Sequence, residues 1–298
     1  MQQQRLRKLT GVLASVFLSF CGLQSCLAAD TCDRLLKIIQ SHDTGYRSVH
    51  LPDDVKAVLR QVDSDDYFQA CADLWNQGFD RERILAVLDK VDAGKKPTDS
   101  EMTHLKDVRV KVRLLRSVYL ALDEGHEAPQ VIDELTTVIG HLQDDLKAGD
   151  RRLARKEADS LRDLMRKKEL DQIADEIDEF HGANGTSFRK WIKGEADEIR
   201  QIMGDEGDSK KVTPKKFHEM RKSITEILAV VDVINAVDPS PESRQLGKYL
   251  SSLNTDMGNL HDELVGKKLQ GAIEYERDKI VIPPRIRALL LQFVDSVN

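Results

Sequence analysis

The chain has 298 residues, of which 32% are charged and 5% aromatic, and its formal charge is −6. Leu, Ile and Val recur between charged residues and glycine and proline are sparse, which excludes a β-sandwich, a barrel or a low-complexity chain and indicates an all-α protein. Its length suffices for one large or two ordinary cores, and its acidic balance argues against a DNA-binding role.

Residues 1–29 read as an export leader. Arg5, Arg7 and Lys8 form a basic start, an apolar run follows from Leu9 to about Leu23, and small residues appear at Ala28 and Ala29. Two processing routes stay open: cleavage near Ala28 or Ala29, or lipidation at Cys26 in a lipobox-like Leu23-Gln24-Ser25-Cys26. Both place the protein in the periplasm or at the cell surface, with a lipid anchor in the second case. No later stretch approaches the roughly 20 apolar residues of a membrane span. Removing three cations and no acid moves the formal charge from −6 to −9.

Residues 30–97 read as a small helical region. Cys32–Gln40 is periodic, His42–Pro52 is irregular, and helices are expected over Asp53–Gln61, Tyr67–Trp75 and Arg81–Leu88. Beyond the lipobox the chain keeps Cys32 and Cys71, and an even pair in an oxidising compartment predicts one disulfide, with two buried free thiols as the competing reading. Ala93-Gly94-Lys95-Lys96-Pro97 is a linker, and Thr98 or Ser100 is an N-cap.

From residue 98 to 298 the helices lengthen. Glu101–Asp123 and Gln130–Ala148 form an antiparallel pair around a proline-containing turn. Arg151–His181 reads as one long charged helix, and Thr186 or Ser187 caps another that runs to Met203. Residues 204–211 separate two repeats, about 101–204 and about 212–298. Thr213-Pro214 opens a helix to Val237, Asp238-Pro239-Ser240-Pro241 turns, and Glu242–Val265 returns before a last apolar helix, Arg285–Val297.

The repeats announce themselves in Ile139-Gly140-His141-Leu142-Gln143-Asp144-Asp145-Leu146, which returns as Met257-Gly258-Asn259-Leu260-His261-Asp262-Glu263-Leu264. A glycine repeated inside a helix marks a close approach, since it costs about 1 kcal/mol against alanine.

Lys106, Arg109, Arg113 and Arg116 share one helix face by their spacings of three and four, opposite Val108, Val112, Leu115 and Tyr119. Two readings stand side by side. The face is solvated and relieved by acids on neighbouring helices such as Asp144 or Asp145, or it is an anion track of guanidinium groups suited to phosphate. The second repeat adds His218, Arg221 and Lys222 near its helix start. His218 beside Arg221 serves either as a donor to an anion or as a partner of a nearby carboxylate.

Glu101 and His104 have one E-x-x-H spacing where a di-metal bundle needs two, so no metal site is expected. The chain shows no phosphate loop, nucleophile elbow or haem motif, and neither catalysis nor a cofactor is expected.

Arg109-Val110-Lys111-Val112-Arg113-Leu114-Leu115-Arg116 resembles the R-V-x-x-R-x-L-R signature of the conserved histidine α-helical domain, or CHAD, family. His218-Glu219-Met220-Arg221 resembles that family's H-x-x-R, and the two glycine segments resemble its later L-G-x-x-R-D element. Lys106 stands at the first histidine, and Gln143 and His261 stand at the later arginine. The resemblance covers about residues 100–269. It implies two pseudo-symmetric helical bundles around a basic cavity that binds inorganic polyphosphate or a comparable polyanion without catalysing a reaction. The alternative from another class is an exported scaffold that binds a protein partner, which would expose an apolar patch at Ile286, Leu289, Leu290 and Phe293.

Overall fold

The computed structural model describes residues 30–42, 48–60, 62, 65–180, 185–204 and 211–297. The expected leader, with Cys26, lies outside the described residues. Within them the architecture is all-α. Helices run over residues 30–41 (α1), Val55–Arg60 (α2), Asp66–Gly78 (α3), Arg81–Asp92 (α4), Asp99–Leu122 (α5), Gln130–Ala148 (α6), Arg151–Leu164 (α7), Lys167–Glu179 (α8), Gly185–Gly204 (α9), Pro214–Val237 (α10), Pro241–Leu269 (α11) and Pro284–Val297 (α12).

The long helices begin where local chemistry prescribes. Thr98 caps α5 in a reciprocal capping box with Glu101, Thr213 caps α10 with Pro214 in the first turn, and Ser240 caps α11 with Pro241 behind it. Pairing with Lys90, a backbone hydrogen bond at Thr98 and that residue's hydroxyl pull the Glu101 carboxyl down to about 2. α5 packs against α6, α10 against α11, and the two pairs meet where α5 lies along α10. α3 lies against α5 and α10, and α4 against α7. One continuous apolar core therefore extends from Cys32 to Val294.

Two expectations change, and one short ladder is added. The stretch expected as one helix from Arg151 to His181 breaks at Met165–Arg166, where Arg166 adopts an extended conformation. Met165 turns inward to zero exposure, and its carbonyl accepts a hydrogen bond from Arg81 Nε at 2.6 Å. Neither glycine nor proline marks this break; a tertiary contact makes it. Thr186 and Ser187 lie inside α9 rather than capping it. Lys211–Val212 (β1) and Ile280–Val281 (β2) form a short antiparallel ladder that tethers the segment before α12 to the start of α10.

The predicted disulfide is also corrected, because Cys32 and Cys71 are free thiols, each 1% exposed. The Cys32 thiol lies 3.9 Å from the carbonyl of Ala70 and joins the apolar seam between α1 and α3. Burial, then Asp73, pushes Cys32 up to about 11, and burial pushes Cys71 up further. Oxidation needs thiolate, and this environment suppresses it. Apolar packing does the joining that redox compartment alone suggested for a disulfide.

The last helix is not an exposed patch. Ile286, Leu289, Leu290 and Phe293 are at most 7% exposed, packed towards α9 and α11, and Tyr249 of α11 donates its hydroxyl to the Leu289 carbonyl at 2.6 Å. No helix among the described residues is long and apolar enough to cross a membrane.

Candidate anion-binding cleft

A cleft of about 420 Å³ opens where α5, α6 and α10 converge. α5 contributes Arg109, Arg113 and Arg116 because its opposite face, including Val108, Val112, Leu115 and Tyr119, is sealed in the core. α10 contributes His218, Arg221 and Lys222, with Met220 and Ile224 buried behind them. α6 supplies Gly140, His141 and Asp144, with Asp133 at the edge.

Of the seven expected anion-binding residues, six line this one cleft. Lys106 does not: it is exposed, one turn before Arg109. Of the acids expected to relieve the cations, Asp144 lines the cleft, whereas Asp145 lines a different depression beside α7.

The two glycine segments stand in the same relation to an arginine. Arg109 crosses Gly140 so closely that a Cβ built there would lie 2.8 Å from Nη2, and Arg221 crosses Gly258 with the corresponding gap at 3.5 Å. Arg109 Nη1 donates to Gln143 Oε1 at 3.1 Å, and Arg221 Nη1 lies 3.5 Å from His261 Nδ1. A guanidinium can only donate, so the neutral Gln143 amide orients Arg109 without cancelling its charge, whereas His261 Nδ1 also lies 3.4 Å from Asp262, whose carboxylate partly offsets Arg221.

Charge is unevenly compensated. Arg116 pairs with Asp133 at 2.6 Å and with Glu226 across the α5–α10 junction, so two of the cleft's carboxylates are committed to one cation. Sequence reasoning placed Arg116 with the anion ligands, whereas the structure gives it two carboxylate partners. Its partner Glu226 sits on α10, 110 residues away, and had no signal in the sequence. Arg113, by contrast, is enclosed, and its Nε has no hydrogen-bond partner; Arg221 Nε is in the same condition. Burial first, then the neighbouring Arg109, lowers the Arg113 pKa, and burial also lowers that of Arg221. The cleft carries five cations against three carboxylates.

His218 is not held by a carboxylate. Its ring stacks on His261 at 4.6 Å between centroids, and its Nδ1 is buried without a partner. Burial, followed by His261, Arg221 and Lys222, depresses His218 to about 4, so it is neutral at neutral pH and presents one N–H.

The two residues of the E-x-x-H pair are drawn into other environments. Glu101 is spent on its cap and on Lys90, and His104 is 8% exposed with its pKa lowered by burial. Among the described residues no group of three or more His, Cys, Asp or Glu gathers to hold a metal.

Set beside known proteins, the chain matches no family model, no curated protein and no solved structure.

Proposed function

We propose that the protein is a non-catalytic binder of a phosphate-bearing polyanion, inorganic polyphosphate being the ligand that the CHAD resemblance implies. The observation that carries this reading is the convergence in one cleft of Arg109 and Arg113 from α5 with Arg221 and Lys222 from α10, where Arg113 and Arg221 each keep a buried Nε without a partner. Enclosing like charges is unfavourable unless something compensates them, and guanidinium groups answer phosphate oxygens in geometry and charge. The α12 apolar face is buried, so the exposed patch that would have favoured a protein-docking scaffold does not support that alternative. The leader-like start of the sequence supports placing this binding in the periplasm or at the cell surface.

Titration with long-chain polyphosphate at low and moderate salt tests the reading. Saturable binding that weakens with salt through counterion release and screening is expected, with loss on Arg109→Glu combined with Arg221→Glu. Binding that ignores both salt and these substitutions, or no binding at low salt, overturns it.

A further inference from the structure

A second cavity, of about 350 Å³, lies between the end of α1, the C-terminal half of α10 and the first turns of α11, remote in sequence from the cleft arginines. Asp232 and Asn235 form part of its wall and are 3% and 5% exposed. Asn235 donates Nδ2 to the Ser243 carbonyl at 3.0 Å, which leaves its Oδ1 without a partner. Gly247 leaves room for that amide, since a Cβ there would lie 2.8 Å from Asn235 Nδ2.

Asp232 Oδ1 lies 3.2 Å from His42 Nε2, so a single imidazole nitrogen faces a carboxylate that can accept several hydrogen bonds. Burial holds the Asp232 carboxyl above its usual range, and His42 and then Arg113 offset this only in part. On the cavity wall, therefore, Asn235 Oδ1 lacks a donor, and the Asp232 carboxylate keeps acceptor capacity beyond His42. The cavity is also lined by Arg34, Lys37 and Arg244; the last two are exposed at its mouth.

This polarity is that of a ligand, acceptors within and cations without. An ammonium group supplies a positive charge and three donors, enough for both oxygens. Several cations at the mouth suit a dianionic phosphate better than a single carboxylate. We infer that this cavity binds a small zwitterion, a primary amine tethered to a phosphate, with the amine at Asp232 and Asn235 and the phosphate at Arg34, Lys37 and Arg244. The volume suits a small molecule and not a polymer.

Calorimetric titration of the whole protein with O-phosphoethanolamine tests the assignment, with ethanolamine and inorganic phosphate as half-ligands. One-to-one binding is expected, at least tenfold tighter than either half. Asp232→Asn and Arg244→Ala should each weaken it by tenfold or more, whereas Arg109→Glu should leave it unchanged. Arg244 is exposed, so its substitution keeps the test alive if Asp232→Asn fails to fold. Competition by vesicles of phosphatidylethanolamine would assign the source as a lipid headgroup, and failure to compete would assign a soluble molecule; either upholds the site. Absence of binding, or binding matched by phosphate alone and indifferent to Asp232→Asn, overturns the inference.

Discussion

Replacing Arg113 by methionine separates what that side chain does for the fold from what it does for a ligand. In the free protein its guanidinium is enclosed, its Nε lacks a partner, and Arg109 and Arg221 lie close enough to disfavour its charge. A buried donor of a charged group left without a partner costs about 1–3 kcal/mol. Asp232 and Glu226 return part of that cost by attraction. Methionine keeps most of the length, removes the charge and is tolerant of irregular space. The net expectation is stabilisation by about 1–2 kcal/mol, the unpartnered donor and the repulsion from Arg109 and Arg221 outweighing the lost attraction to Asp232 and Glu226. Because 1 kcal/mol moves the midpoint of a chain approaching this size by about 2–4 °C, Tm should rise by several degrees. Urea unfolding without ligand at low salt measures the first quantity. Polyphosphate affinity, expected to fall about tenfold for the loss of one bidentate contact, measures the second. If Arg113→Met instead destabilises by about 1 kcal/mol or more and leaves affinity intact, Arg113 serves to neutralise Asp232 and Glu226, and the cleft reading fails at its centre.

The glycines make an asymmetric pair. Gly258→Ala meets ordinary contact distance to Arg221 and should stabilise by about 0.5–1 kcal/mol in thermal unfolding, whereas Gly140→Ala must displace Arg109, forfeiting that gain and weakening polyphosphate binding. His218 makes stability and affinity respond to pH in opposite senses. Its folded pKa of about 4 lies below the ordinary 6.5, so the unfolded chain binds the proton more readily and free-protein stability should fall as pH drops from about 6.5 towards 4. A bound anion raises that pKa, so affinity should rise over the same interval, and His218→Gln should flatten both profiles. Cys32 and Cys71 should resist an aromatic disulfide reagent in the folded state and both react on unfolding; a covalent link between them on non-reducing electrophoresis would refute the free-thiol assignment.

Much of the fold was legible because it is written locally. The helical period put Val108, Val112, Leu115 and Tyr119 on one side of α5 and its arginines on the other, whatever the helix would pack against. Thr98, Thr213 and Ser240 begin their helices through hydrogen bonds spanning only three residues. Of the repeated glycines only Gly140 marks a close approach, and its partner proved to be the Arg109 side chain rather than a neighbouring helix backbone; Gly258 stands at ordinary contact distance from Arg221.

What the sequence left open depended on groups distant along the chain. No local pattern tells that Glu226 reaches Arg116 across 110 residues, that Gln143 and His261 orient the two arginines, or that Arg81 captures the Met165 carbonyl and ends α7. The cysteine pair misled for the same reason: composition suggests a bond, but only packing shows that the seam between α1 and α3 is apolar enough to keep both thiols protonated. By itself the sequence determined which residues form helices and which face of each is charged, because those follow from neighbours three and four positions away. The tertiary structure decided which charges meet and which stay uncompensated, because desolvation and Coulomb energies depend on distances in space.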